Sequence, residues 1–498
     1  MNWKVIWRSF GHADMRKRVL AVLGMIVIFR VLAQIPIPLA SPTTLKSLLD
    51  TLFTATNGSG LFGFLDVLSG GALANFSIVL IGLGPYINAS IIMQLLTQAI
   101  PKLEALNQEG EYGRKKINQI TRIITLPLAI VQSIGAIVLV RQQAQQISGL
   151  DITANAGIGN WVVMITALVG GAMLLMWLGE LITEQSVGNG ISLLITAGIV
   201  AKLPSTISSL VSSVFSGEQS FQVFGKTINY RTESLYIGIG IFVAVIFTTW
   251  AVVKLNEAQR QITINYAKRV QGNRTYGGVT TILPIKLIIA GVIPVIFAVA
   301  FLSVPSFVGQ ILTNNSSARL ADLGNNLVLW FQTPTSQTFA QPGWTPYIYP
   351  ITYFVLIVAF TFFYTSITFN AKEIAENLQK QGGFIEGVRS GKDTEKFLKT
   401  IVSRLTLFGS LALGLIALGP IIAQIFINTQ ITIGGTGILI LVAVALETLR
   451  QIESRALMVT YDDYSSEDYF DGDKKKSKKA KRIRNIFNRK KNTAEAKA

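Results

Sequence analysis

Long apolar runs alternate with polar segments along the chain. A helix rises about 1.5 Å per residue, so a run of about 20 apolar residues crosses the hydrocarbon layer of a bilayer. The runs predict ten membrane-spanning helices, at residues 18–38, 73–99, 119–140, 160–183, 190–213, 234–255, 281–305, 347–369, 401–426 and 434–455. We therefore predict an all-α polytopic membrane protein.

The composition agrees with this fold class and limits the chemistry. Of the residues, 50% are hydrophobic and 14% are charged, whereas soluble domains carry about 25% charged residues. The chain has no cysteine and one histidine, so it forms no disulfide and offers few metal ligands. The motifs of metalloproteases, serine hydrolases and P-loop ATPases are absent from the sequence. We expect no enzyme and no cofactor, and any pushing force must come from a partner.

Lysine and arginine are concentrated on one side of the predicted membrane. If the N-terminus is cytoplasmic, the cytoplasmic segments hold about 35 of the 44 Lys and Arg residues, and the opposite side holds about five. Cytoplasmic loops of membrane proteins carry such an excess. Both termini are therefore predicted to be cytoplasmic.

The ten spans divide into two halves of five, residues 18–216 and 217–459. An odd number of spans per half gives the halves opposite orientations, as in inverted-repeat membrane proteins. Residues 1–17 are predicted as an amphipathic cytoplasmic segment. Residues 460–498 carry acidic residues followed by a dense basic run, which predicts a disordered cytoplasmic tail.

One apolar stretch does not fit a span. GLFGFLDVLSGG, residues 60–71, is too short to cross a bilayer and contains Asp66. A half-helix at membrane depth is tolerated only inside protein or in a water-filled cavity. The composition fits such a half-helix and an interfacial helix on the outer leaflet equally well.

Isoleucines recur beside interruptions of the predicted spans. GLGPYINASIIMQLL, residues 82–96, places two of them four positions apart, on one helix face behind a Gly-Pro pair. The set consists of Ile87, Ile91, Ile191, Ile195, Ile293 and Ile440. Stiff β-branched side chains that meet would form a narrow apolar constriction that gates by dewetting. On spacing alone, ordinary filling of membrane helices is the simpler interpretation.

Several polar side chains are predicted to be embedded in the membrane: Asn88, Gln94 and Gln132 within spans, and Asn189 immediately before span five. Each needs a partner in hydrocarbon, either as part of a functional pathway or as a hydrogen bond between helices. Glu180 and Glu184 lie near the cytoplasmic end of span four. Their spacing permits a proton relay, but their position favours solvated acids at a helix end.

Two long basic loops, residues 256–278 and 371–400, are predicted on the cytoplasmic side, and the first is strand-like around residues 261–266. Such loops suit docking to nucleic acid or to an acidic protein surface. The general excess of basic residues in cytoplasmic loops explains their charge equally well.

Two classes of function fit these features: a passive polypeptide channel and an ion-coupled secondary transporter. A transporter predicts an ionisable residue at mid-depth in an interrupted helix. Here the residues at the interruptions are isoleucines, and the embedded charges other than Arg30 lie near span ends. The channel is favoured, and the transporter is the alternative.

An ordered set of segments resembles the SecY family, the central subunit of the Sec protein-conducting channel. The segments are FRVLAQIPIP, LSGGALANFSI, PYINASIIMQLL, EGEYGRKKINQITR, MWLGELITEQSVGNGIS, INYAKR, LPIKLIIAGVIPVIF, FFYTSITFNAKEIAENLQKQGGFIEGVRSG and GGTGILI. Each segment is weak evidence alone. The set, which covers about residues 15–460 in the family's order, is specific.

The resemblance implies an hourglass pore that is pinched by the six isoleucines above. It implies that residues 60–71 are a plug helix, with functional positions at Leu61, Phe64, Leu65, Leu68, Gly70 and Gly71. It further implies a lateral gate between spans two and three and spans seven and eight. Gln132 and Asn189 are the polar residues expected to hold that gate shut.

The resemblance also implies partners. The SecA motor or the ribosome, through its RNA, would dock on the basic loops at Arg260, Lys268, Arg269 and Arg389. Relatives often have a second arginine where this chain has Gln261. SecE and SecG subunits, signal peptides and nascent polypeptides are the other expected partners, and the tail suits anionic lipid. The expected function is translocation of unfolded polypeptides across the bacterial cytoplasmic membrane, with sideways release of hydrophobic segments.

Overall fold

The computed structural model describes most of the predicted spans and loops. The described residues are 13–37, 72, 76–148, 158–215, 219–223, 226–230, 232–266, 269–271, 274–276, 278, 280–313, 318–331, 334, 339, 343–426 and 435–465. The predicted plug at 60–71, Lys268 and residues 466–498 of the tail lie outside them.

Helices make up most of the described chain. They are α1 (Ala13–Leu32), α2 (Gly84–Ala99), α3 (Pro101–Gln108), α4 (Glu111–Ser148), α5 (Ile158–Glu184), α6 (Gly190–Phe215), α7 (Thr232–Glu257), α8 (Ile293–Thr313), α9 (Ala318–Phe331), α10 (Thr345–Thr368), α11 (Ala371–Lys380), α12 (Lys392–Phe426) and α13 (Gly435–Ser465).

Each of the ten predicted spans overlaps one helix: α1, α2, α4 to α8, α10, α12 and α13. Within the described ranges, five helical stretches are long and apolar enough to cross a membrane, and two shorter apolar stretches lie in α6 and α8. The prediction of a mostly helical, multi-pass membrane protein is confirmed.

Span two was predicted to begin too early. Of residues 73–99, only the part from Gly84 onward is helical, and Pro85 lies in its first turn. Backbone N–H groups in the first turn have no partner within the helix, so proline is tolerated there. Residues 76–83 form turns, and Phe76 and Gly82 adopt φ of 46° and 61°. These residues are as apolar as a membrane span, but their backbone forms turns instead of a helix.

Hydrogen bonds fasten this non-helical segment to the end of α1. The Ile37 N–H donates to the Phe76 carbonyl at 2.9 Å, and the Ile78 N–H donates to the Ile35 carbonyl at 3.0 Å. The side chains of Phe76 and Leu80 are buried. Irregular backbone at membrane depth is tolerated where protein encloses it.

Span seven also begins later than predicted. Residues 281–286 belong to strand β6 rather than to a helix, and α8 begins only at Ile293. A run such as TTILPIKLII is apolar enough for either structure, and pairing with a distant strand decides between them.

Short strands add to the helical fold. They are β1 (Gln219–Val223), β2 (Lys226–Tyr230), β3 (Gln259–Tyr266), β4 (Arg269–Gln271), β5 (Arg274–Tyr276), β6 (Thr280–Lys286) and β7 (Gly383–Ile385). β1 with β2 and β4 with β5 form two-stranded sheets, and β6, β3 and β7 form an antiparallel three-stranded sheet in that order. The predicted strand at 261–266 is confirmed, while the all-α class omitted these sheets.

One apolar cluster joins the two halves of the chain. It contains buried side chains from α1, α2, α5 and α6 of the first half and from α7, α8, α10, α12 and α13 of the second. We call it the central cluster. Its largest fully buried members include Tyr353 and Phe29.

Helix α9 was not predicted. It follows α8 after a short connection and packs against it at two glycines. A Cβ atom on Gly309 would lie 2.9 Å from the Gly324 carbonyl oxygen, and one on Gly324 would lie 2.8 Å from the Gly309 carbonyl oxygen. Close approach of this kind requires small residues at helix interfaces in membranes.

Two adjacent glycines of α5 provide a direct test of how the turns at 76–83 pack. A Cβ atom on Gly171 would collide with the backbone of Ile78, whereas one on Gly170 would meet nothing within 4 Å. We expect Gly171→Ala to destabilise the protein by about 2 kcal/mol, because the collision is with main chain. Gly170→Ala should be neutral or stabilising by up to about 1 kcal/mol.

The unfolding midpoint in detergent measures both variants. Equal midpoints for the two alanine variants would mean that the segment before α2 does not pack on α5 as described.

Candidate functional site

The six isoleucines predicted to form a ring all belong to the central cluster. Ile87, Ile91, Ile195 and Ile440 are among its buried members. Ile191 and Ile293 are half-buried and pack against it. They come from α2, α6, α8 and α13, two helices of each half. The six side chains thus belong to one apolar cluster that contains residues of both halves.

Local sequence features set the start of each contributing helix close to its isoleucine. In α2, Ile87 follows Pro85 by two residues. In α8, Ile293 is the first residue, and Gly291 before it has φ of 61°, a conformation that glycine adopts without strain. In α13, a Cβ atom on Gly437 would lie 3.5 Å from Ile199 of α6, so the two helices are in contact beside Ile440.

Asn189 fixes the start of α6. Its Oδ1 atom accepts hydrogen bonds from the backbone N–H groups of Ile191 at 3.1 Å and Ser192 at 3.3 Å. This is N-cap geometry, which satisfies donors that the first turn leaves unpaired. Asn189 therefore orients the turn that carries Ile191, a role that sequence reasoning missed. Its predicted role in the lateral gate stays a prediction.

The side chain of Gln132, a residue of α4, lies beside the start of α2. A Cβ atom on Gly84 would be 3.4 Å from the Gln132 Oε1 atom, so the amide of α4 packs on the Gly84–Pro85 turn. Both α2 and α4 also contact α8 of the other half. Gln132 thus lies on a helix that takes part in the junction of the halves that the lateral-gate hypothesis requires.

A cavity of about 960 Å³, with polar side chains from both halves in its walls, opens where α2 to α4 face α10 to α12. Its walls include Gln94, Thr97 and Asn118 from the first half, and Thr365 and Ser403 from the second. Sequence reasoning singled out Gln94 but did not bring these groups together. The hydroxyl-rich run TFFYTSIT in α10 was the available signal.

Glu180 is not the solvated acid that was expected. Its carboxylate accepts a hydrogen bond from Arg122 Nε at 2.8 Å, and its side chain is only 16% exposed. The ion pair ties α5 to α4. Glu184, four residues later, is exposed as expected.

The two basic loops meet in one small folded unit. Strand β3 of the first loop pairs with β7 of the second, with Ile264 opposite Ile385. Beneath the sheet is a separate apolar cluster formed by Ile262, Ile264, Ile285, Leu378, Ile385, Leu398 and Val402. We call the sheet, α11 and the first turns of α12 the platform.

The platform presents predicted docking residues at its surface. Arg260 is exposed at the start of β3, and Arg389 is exposed between β7 and α12. The backbone of Arg269 pairs with Tyr276 in the β4–β5 hairpin. The structure does not describe Lys268.

A contact from the middle of α13 attaches it to the base of the platform. Arg450 donates a hydrogen bond from Nη2 to the Asn256 carbonyl oxygen at 3.0 Å, where α7 leads into β3. Desolvation and, to a lesser degree, the Arg450 cation lower the pKa of Lys286 at the end of β6, whereas Glu447 raises it. Charged groups therefore cluster where the platform meets the helices.

Comparison with known proteins identifies the family. A SecY family profile matches residues 77–449. The chain belongs to the SecY family. The SecY subunit of the Streptomyces coelicolor protein translocase is 40% identical over 92% of this chain and 98% of its own length. That of Aquifex aeolicus is 40% identical over 91% of this chain and 97% of its own length.

Solved structures agree on the fold. A structure described as a protein-conducting channel has a TM-score of 0.59 at 18% identity, over 87% of this chain and 90% of its own. Sec61 from a canine ribosome–channel complex has a TM-score of 0.56 at 18% identity with the same coverage. The SecY-family assignment and the arrangement of helices are therefore in agreement.

Two neighbouring residues of β3 test whether the platform is one cooperative unit. Ile264 is buried beneath the sheet, and Thr263 beside it is exposed. We expect Ile264→Ala to destabilise the platform by about 2–4 kcal/mol, because truncation leaves a cavity in a small core. Thr263→Ala should change its stability by less than about 1 kcal/mol.

Limited proteolysis of both basic loops provides the measurement. Faster cleavage in residues 256–278 and 371–400 together is expected for Ile264→Ala alone. Faster cleavage in only one loop would mean that the two loops fold independently.

Proposed function

We propose that this chain is the pore-forming subunit of a protein-conducting channel. In this function it passes unfolded secretory polypeptides across the cytoplasmic membrane of a bacterium and releases hydrophobic segments sideways into lipid. The observation that carries the proposal is the gathering of six isoleucines, from both halves of a SecY-family chain, in one apolar cluster.

The chemistry of the cluster suits a seal that does not select among sequences. Isoleucine side chains exclude water from a narrow passage, so ions do not cross the closed channel. They offer no charge or hydrogen bond that would hold a particular polypeptide. Residues 60–71 would close the outer side as a plug, with Gly70 and Gly71 as its hinge.

Sideways release requires that the two halves separate along one line. We assign this line to the contact of α2 and α4 with α8 and to the cavity where they face α10, and call it the seam. Gln132 and Asn189 would help hold it shut. Hydrophobic segments would leave through it, because lipid is favourable for Leu, Ile, Phe and Val.

The platform is proposed as the docking site for a driving partner, SecA or the ribosome. Arg260, Lys268, Arg269 and Arg389 would supply cationic contacts to RNA or to an acidic protein surface. This assignment places the platform and both termini in the cytoplasm. SecE and SecG would complete the membrane complex, and the basic tail would touch anionic lipid.

The ion-coupled transporter is not supported by the comparisons, which match a translocase subunit and channel folds. None of the six positions gathered in the cluster is ionisable.

The absence of cysteine from the natural chain permits a direct test of the ring. One cysteine is introduced by Ile293→Cys and another in a secretory protein stalled halfway across the membrane. Mild oxidation should join the two, because the proposed path passes Ile293. A matched variant, Phe242→Cys, places the cysteine on an exposed part of α7 and should give no bond.

Export of the substrate without any bond at position 293 would show that the ring assignment is wrong. If export also proceeds without this protein, the channel function itself fails.

Charge reversal tests the platform. Arg389→Glu and Arg260→Glu should each weaken partner binding to membranes by about tenfold, equivalent to about 1.4 kcal/mol, with a loss that shrinks at high salt. Arg319→Glu, which changes an exposed arginine on α9, is the control. Binding is measured by co-sedimentation of SecA or ribosomes with vesicles. Equal losses for all three variants would indicate a general charge effect rather than docking.

A further inference from the structure

An aromatic side chain of α8 lies directly over a glycine of α4. A Cβ atom built on Gly135 would meet three carbons of the Phe307 ring, namely Cζ, Cε1 and Cε2, at distances that real Cβ atoms do not show. The ring therefore occupies the space that any larger residue at position 135 would fill. Since α4 belongs to the first half and α8 to the second, this contact crosses the seam.

One face of α4 contacts both α2 of its own half and α8 of the other half. Gln132 and Gly135 are three positions apart, so they are neighbours on the helix surface. Gln132 packs against Gly84 of α2, and Gly135 receives Phe307 of α8. One helix face thus joins its own half to the opposite half within about one turn.

The seam has different chemistry at its two levels. Thr121 of α4 lines the cavity. Gly135 follows 14 positions later (135 minus 121), which corresponds to about 21 Å along the helix. The seam is therefore open at the cavity, where polar side chains are among the lining residues, and closed by an apolar contact at Gly135.

The energy of the contact between Phe307 and Gly135 depends strongly on its exact geometry. In lipid no hydrophobic force drives helices together, so close van der Waals packing at small residues supplies much of the association energy. A ring seated on a glycine makes many such contacts, and a small displacement loses a large part of them. Nearby Pro305 interrupts the hydrogen bonding of α8, so this part of the helix is suited to bending.

We propose that Phe307 seated on Gly135 is the latch of the seam and sets how hydrophobic a segment must be to enter lipid. Both are positioning residues: the segment that opens the seam replaces their contact with its own contacts to lipid and helix. This inference rests on the proposed channel function and assigns a selectivity determinant to it.

The test uses the complete chain in its membrane complex, with a substrate series in which a 19-residue segment carries an increasing number of leucines among alanines. The measured quantity is the number of leucines at which half of the segments are released into the membrane. Gly135→Ala and Phe307→Ala should each lower this number by about one leucine or more, because the closed seam loses packing.

Matched controls separate the latch from general effects. Gly170→Ala adds a methyl group to a membrane glycine with open space around it. Phe242→Ala removes an exposed aromatic from α7. Neither should move the release threshold. If the alanine variants fail to accumulate, the milder change Phe307→Leu is used instead. It should lower the release threshold by a smaller amount.

The double variant Gly135→Ala with Phe307→Ala gives the sharpest outcome. Once the ring is gone, the added methyl group has nothing to displace, so the double variant should match Phe307→Ala alone. Shifts that add in full would show that the two residues act independently. Thresholds equal to those of the controls would likewise overturn the latch.

The two proposals fail in distinguishable ways. If the latch is wrong, the release threshold stays constant while the oxidative bond at Ile293→Cys still forms in every variant. If the channel function is wrong, that bond is missing in the otherwise unchanged chain as well, and export proceeds without this protein.

Discussion

The hydrocarbon layer of a bilayer has no water to pair with backbone N–H and C=O groups, and the architecture depends on this constraint. It explains why nearly all apolar stretches of the described chain are helical. It also explains the exception before α2, where residues 76–83 leave the helix but are enclosed by neighbouring side chains and bonded to the end of α1. A channel needs such enclosed irregular backbone, because it must turn toward the pore without exposing polar groups to lipid.

The same constraint limits what can hold the halves together. Their junction consists largely of apolar side chains, with isoleucines at the starts of helices and glycines at close approaches. Ion pairs such as Arg122 with Glu180 join helices within one half. A junction built from dispersion contacts separates without leaving buried charges unpaired, whereas breaking a buried ion pair would cost several kcal/mol. An opening seam is therefore compatible with a stable protein.

The spans could be predicted from the sequence because apolar length is a local property, and each predicted span overlaps a helix. The beginnings of spans two and seven could not, since residues 76–83 and 281–286 are as apolar as a helix, and distant partners determine their structure. The pairing of β3 with β7 is non-local for the same reason. The isoleucines were chosen by resemblance, and spacing alone favoured ordinary filling. The role of Asn189 as a cap was missed, although Gly-Asn-Gly before an apolar run is a typical helix start.

The contrast between the two levels of the seam gives it a direction of opening. At the cavity the halves already stand apart, so a segment that enters there breaks few protein contacts. At Gly135 the halves touch without solvent, so further opening must exchange ring packing for contacts with the segment. Only a segment apolar enough to gain from lipid makes that exchange favourable. A polar segment gains nothing there and would continue along the proposed pore, so in the proposed channel one dry contact would separate the two routes.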